Sequence, residues 1–151
     1  MRASIDPRHI PGNGTVDRLG RTQHAVLVDF ANISTASCLL TGYPGAAVVA
    51  DNGRQIQQAR RTLRGPLGGL PSTENTPPQV TLNPGGYAAA FLEGVGQKQI
   101  GAAQAGCDAP NYPRILVTPP NTTVPVPFTV GWPKCYSFDV HPVRPVSAPP
   151  A

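Results

Sequence analysis

A chain of 151 residues with 19 prolines and 16 glycines fits one domain, and at that size folding buries roughly 70% of the surface of the unfolded chain. Proline removes a backbone donor and glycine raises the entropic cost of order, so their spread between short apolar runs excludes a long helical scaffold and favours an all-β domain with many turns. The net charge of +4, with charged residues at only 13%, fits a mildly basic soluble surface better than a nucleic-acid-binding one.

Residues 1–20 are polar and aperiodic, and read as a flexible N-terminal segment. The segment "QHAVLVDF" follows as a buried strand, with Val26, Val28 and Phe30 on one face and Leu27 on the other. A polar loop leads to "CLLT", ended by "GYPG", where Pro44 suits the second position of a type II turn and Gly45 the positive φ of the third. "AAVVA" runs into Asn52-Gly53, the strongest short hairpin signal, and "RQIQQA" pairs back. Residues 38–56 thus read as a compact β meander.

"RTLRGPLGGLPSTENTPP" is a long connection, either loop or loop with a short helical turn. "QVTL" and "YAAAFLEG", joined by Asn83-Pro84-Gly85-Gly86, read as the next hairpin. A Gly/Gln-rich loop leads to Cys107, and "RILVTPP" is a central strand by its unbroken apolar content. "TVPVPFTV" alternates Val124, Val126, Phe128 and Val130 against prolines that cannot donate to a ladder, so it belongs at a sheet edge. "YSFDVHPV" is the last strand, with Phe138 and Val140 inward and Asp139 and His141 outward, and residues 144–151 are a flexible tail. Eight or nine short strands at roughly ten-residue intervals make residues 21–143 an antiparallel β-sandwich, immunoglobulin-like in architecture, with a small barrel as the alternative.

The three cysteines, Cys38, Cys107 and Cys135, lack zinc spacing. One disulfide and one remaining thiol is the simplest arithmetic. No apolar run reaches the ~18 residues of a spanning helix, and the opening "MRASIDPRHIPGNG" lacks the apolar region of a signal peptide.

Four blocks carry a family likeness: "FANISTASCLLTGYPGAAVVADNGRQI", "VTLNPGGYAAAFLEG", "CDAPNYPRILVTPPNTTVPVP" and "CYSFDVHPV". In order and cysteine placement, over about residues 24–143, the chain resembles the actinobacterial domain-of-unknown-function family 4232, found in secreted proteins and lipoproteins. The resemblance implies an immunoglobulin-like sandwich and no established activity, cofactor or catalytic residue. Members usually carry a further cysteine ahead of the first block, where this chain has none, which leaves Cys38 a buried free thiol or one without its partner. Cys107 and Cys135 match the family's later pair. Such a disulfide would add roughly 3–4 kcal/mol and implies an oxidising, secreted or cell-envelope location. A lipid anchor is expected only if a lipobox lies upstream.

Catalytic chemistry finds little support in the residues. There is no GxSxG nucleophile elbow, and His9, His24 and His141 lie far apart. Asp29, Glu93 and Asp139 fall in the polar phase of strands, as solvated faces do. The Gly-rich "GPLGGL" and "GVGQKQIG" lack the strand-to-helix setting of a phosphate loop. No cofactor is expected. The candidate partner surface comprises the basic cluster Arg60, Arg61 and Arg64 with the loop aromatics Tyr43 and Trp132, although Trp132 also suits a core beside the disulfide. The reading is a non-enzymatic envelope or secreted module whose loops bind a protein or cell-wall polymer. The alternatives are a secreted hydrolase with an unrecognised site and an anion-binding accessory protein; nucleic acid is not an expected partner.

Overall fold

The computed structural model describes residues 1–7, 10–15, 21–97, 114–130, 132 and 137–146. These form twelve strands and no helix: β1 (Arg2–Asp6), β2 (Arg21–Ala31), β3 (Cys38–Thr41), β4 (Gly45–Val49), β5 (Gln55–Gln58), β6 (Arg60–Arg61), β7 (Gln79–Leu82), β8 (Tyr87–Gln97), β9 (Arg114–Thr118), β10 (Val126–Phe128), β11 (Asp139–Val140) and β12 (Arg144–Pro145). One sheet runs β1-β2-β8-β11-β6, with β12 also on β8. The second runs β10-β9-β4-β5, and β3 and β7 form a separate ribbon. Pairing is antiparallel except between β11 and β6. Among the described residues no sheet closes into a barrel, and the fold is an all-β sandwich.

The spine is the full-length pairing of β2 with β8, in which Val28 faces Ala90 and Phe30 faces Ala88. Alternation sends Val28, Phe30, Ala88, Ala90 and Leu92 to one face. There they join Val48, Ile115 and Val117 of the second sheet and Leu40, Val80 and Leu82 of the ribbon in a single buried cluster. β9 is central in its sheet and proline-bearing β10 lies at the edge, as their sequences predict. The Asn52-Gly53 hairpin also forms: β5 pairs with β4, Gly53 takes φ +83°, and Arg54 N donates to the Asn52 side chain at 2.9 Å.

Several expectations need correction. The described strands number twelve rather than eight or nine, because short segments add to the sheet edges. Residues 2–6 are not a flexible lead-in. They form β1 on β2, with Ala3 in the core and Ile5 packed against it. Arg144–Pro145 likewise leave the expected tail to pair with β8 as β12. Residues 38–56 are not one meander, since β3 pairs with β7 whereas β4 pairs with β5 and β9. The chain changes sheet at "GYPG", where the positive φ falls on Gly42 (+86°) and not on Gly45. The Asn83–Gly86 turn forms, with Gly86 N donating to Asn83 O at 2.8 Å, yet it joins the ribbon to the long sheet instead of closing a hairpin.

Candidate functional site

After β6 the chain crosses the outer face of the long sheet as a strap. Gly65 N donates to Gly68 O and Leu70 N to Leu63 O, both at 2.9 Å, and Arg64 bridges Gly69. The Arg64 side chain then locks the descending limb. Its Nε donates to Leu70 O and its Nη2 to Pro71 O, each at 3.1 Å, and Nη2 also bonds Glu74 O. A planar guanidinium suits this, because its donors fan out in a fixed fork toward carbonyl oxygens.

Beneath the strap lies a buried acid–imidazole pair. Glu93 sits on the outer face of β8, opposite Ala25 and Asp139, and is 2% exposed. His141, just past β11, is fully buried, and its amide donates to Phe91 O at 3.0 Å. The His141 Nε2 and Glu93 Oε1 are 2.8 Å apart, and Leu67 N donates to Glu93 Oε2 at 2.9 Å. On the other side of the ring, Nδ1 lies 3.0 Å from Thr62 O and 3.1 Å from Thr62 Oγ1. The tautomer decides the roles at Nδ1: an Nδ1–H donates to the Thr62 carbonyl, whereas a bare Nδ1 accepts from the Thr62 hydroxyl. Asp29, on the same face, is 1% exposed. The expected outward histidine and solvated carboxylates are therefore corrected: the strap covers His141 and Glu93 and makes them interior groups, and Asp29 is buried on the same face.

The order hydroxyl, imidazole, carboxyl resembles the string of a nucleophile, its base and the orienting acid. The surroundings do not allow that chemistry. The Thr62 carbonyl shares Nδ1 with the hydroxyl, and Gly65 lies so close to the carboxyl that an added Cβ would come 1.5 Å from Glu93 Oε1. A substrate carbonyl has no room beside His141. The pair ties the strap to the sheet.

Of the predicted partner surface, Arg61 and Tyr43 come together, whereas Arg64 and Trp132 are drawn away from it. Arg60 is exposed and bonds Asp139 with two donors, Nε to Oδ1 at 3.1 Å and Nη2 to Oδ2 at 3.3 Å. That hydrogen bonding, then the charge attraction, raises its pKa above the usual arginine value. The Arg61 guanidinium stands 5.9 Å from the ring centroid of half-buried Tyr43, at cation–π range. Arg64 is spent on the strap. Trp132 is 0% exposed and so is not a surface aromatic: it packs against Phe138 at 4.7 Å and edge-on to His24 at 5.3 Å. Burial pushes the His24 pKa down. Cys38 is a half-buried free thiol on β3, and the proposed Cys107–Cys135 disulfide lies outside the described residues. Among the described residues no cluster of three or more His, Cys, Asp or Glu could hold a metal, and no helix is long and apolar enough to cross a membrane.

Residues 12–144 match a family model described as a domain of unknown function, number 4232. No curated protein and no solved structure matches the chain.

Proposed function

We propose, for a chain that belongs to the domain-of-unknown-function family 4232, the role of a non-enzymatic binding module, held outside the cytoplasm and engaging a protein or cell-wall component through its surface. The observation that carries this reading is the sealed His141–Glu93 pair, whose contacts are all used to fasten the strap. This acid–imidazole pair does structural work, which favours recognition through the surface over catalysis. The anion-binding alternative weakens for a similar reason: Arg64 is committed to carbonyl oxygens and Arg60 to Asp139, so three neighbouring arginines do not make three free cations.

Purified protein should turn over no ester, peptide or glycoside substrate. Turnover that disappears in His141→Gln or His24→Gln would overturn the reading. The extracytoplasmic location predicts an oxidised cysteine pair in protein isolated from its source. Denaturing that protein without reductant should expose one alkylatable cysteine, and three would refute it.

A further inference from the structure

Beside the strap, the outer face of the long sheet holds a hollow of about 250 Å³ lined by Leu27, Gly69, Ala89, Phe91, Pro142, Arg144, Pro145 and Val146. Its floor follows from strand register. Leu27 of β2 faces Phe91 of β8, and Arg144 of β12 faces Ala89 of β8, so Leu27, Phe91, Ala89 and Arg144 share one side of the sheet. One wall is the strap, held close by glycine: a Cβ on Gly68 would lie 2.6 Å from the Phe91 ring. Every lining side chain except Arg144 is apolar or absent. The Arg144 guanidinium makes no hydrogen bond or ion pair with another described residue.

We propose that this hollow binds a small carboxylic acid with a compact apolar body, an aryl or branched alkyl group seated on Leu27 and Phe91 and its carboxylate on Arg144. Three features select that class. The volume lies just below the roughly 300–1,000 Å³ of drug-sized sites, which fits a single ring or short branched chain. The floor is aromatic and aliphatic, so it rewards apolar contact. The one charged group at the wall is a guanidinium, whose fork matches the two oxygens of a carboxylate. Asp29 occupies the same face two residues beyond Leu27, but it is buried, has an interaction of its own and does not line the hollow. The acid would therefore meet a cation and not a second carboxylate.

The inference rests on the binding-module reading, and one titration separates the two. 3-Phenylpropionate, its primary amide and its methyl ester are each added to the ¹⁵N-labelled full chain, followed by amide shifts and calorimetry. The acid should bind with a Kd on the order of 1 mM or tighter and shift the amides of Ala89, Phe91 and Arg144. The amide should bind about tenfold more weakly, since it lacks the charge-assisted bonds. Arg144→Gln should abolish that preference while leaving amide binding unchanged. Equal affinity for acid and amide in the wild-type protein, shifts confined to other residues, or no binding at millimolar concentrations would each overturn the ligand class; none of these needs a variant to fold. Hydrolysis of the methyl ester would instead overturn the non-enzymatic reading.

Discussion

Replacing Gly65 with alanine tests the strap most directly. Its backbone does not require a positive φ, so the substitution isolates the close approach to the buried pair. The new methyl would fall 1.5 Å from Glu93 Oε1, 2.6 Å from Cδ and 3.1 Å from His141 Nε2, all closer than ordinary van der Waals contact and the first two impossibly so. Neither neighbour can swing into solvent, because both are buried. The strap must therefore lift, at an overpacking cost of about 1–3 kcal/mol. Lifting also withdraws Leu67 N from Glu93 Oε2 and leaves a buried polar group without its partner, a further cost of about 1–3 kcal/mol. A domain of this size loses about 2–4 °C of Tm per kcal/mol, so the melting temperature should drop on the order of 10 °C. Calorimetric melts of G65A are best compared with G53A, whose methyl meets nothing within 4 Å and suffers only the left-handed backbone at φ +83°, a penalty of about 1–2 kcal/mol. If G65A melts at or above G53A, the strap is not seated on the acid–imidazole pair.

Arg64→Ala should release the descending limb. Urea stability should fall by about 1–2 kcal/mol, and exchange of the Gly65 and Leu70 amides should quicken more than that of the β2–β8 core; uniform exchange would refute the clamp. Asn32, 2% exposed, donates to Ala36 O and Leu82 O and accepts from Ser34 N and Oγ, so it joins β2 to the ribbon. Asn32→Ala should lower the urea midpoint by an amount equal to about 1–3 kcal/mol without changing the m-value. His24 has a pKa lowered by burial, so the folded state favours the neutral ring. Its stabilisation is present above the unfolded pKa of about 6.5 and is lost as pH falls through the folded value, because the unfolded chain takes up the proton first. Tm should decline with acidification in that window, and His24→Phe should flatten the decline; an unchanged slope would show that another group is responsible.

The strands were legible because alternation and turn chemistry are local. Asn52-Gly53 determines its own hairpin, and the prolines of β10 exclude a central position. Partner choice was not local. β3 and β4 are only three residues apart, yet they lie in different sheets because Gly42 turns the chain before Pro44 can close a hairpin. β1 was missed because "RASID" offers just two apolar residues, Ala3 and Ile5, and only the open edge of β2 makes that sufficient. For the candidate surface, a count of arginines says nothing about the carbonyls or carboxylates they satisfy, and the burial of Trp132 depends on distant partners, Phe138 and His24. One signal for the covered face was nevertheless present. Ala88, Ala90 and Leu92 alternate with Ala89 and Phe91, so β8 is apolar in both phases, which suits a strand buried on both sides.

That second interior explains why a polar pair lies where an apolar one would avoid desolvation. Apolar contacts are non-directional, and a strap held by Leu70 and the ring of Phe91 alone could slide along the sheet. The hydrogen bonds at Glu93 and His141 are directional, and they fix one register: Leu67 over the carboxyl, Thr62 against the imidazole. With those two points set, Gly68 must rest on Phe91 and Gly69 must stand at the rim of the hollow. Buried polar groups can thus specify an arrangement even where they add little net stability. The shape of the hollow is set through the same two residues, so a substitution that loosens the His141–Glu93 tie should disturb the wall at Gly69 before it disturbs the floor at Leu27, which the β2–β8 ladder holds independently.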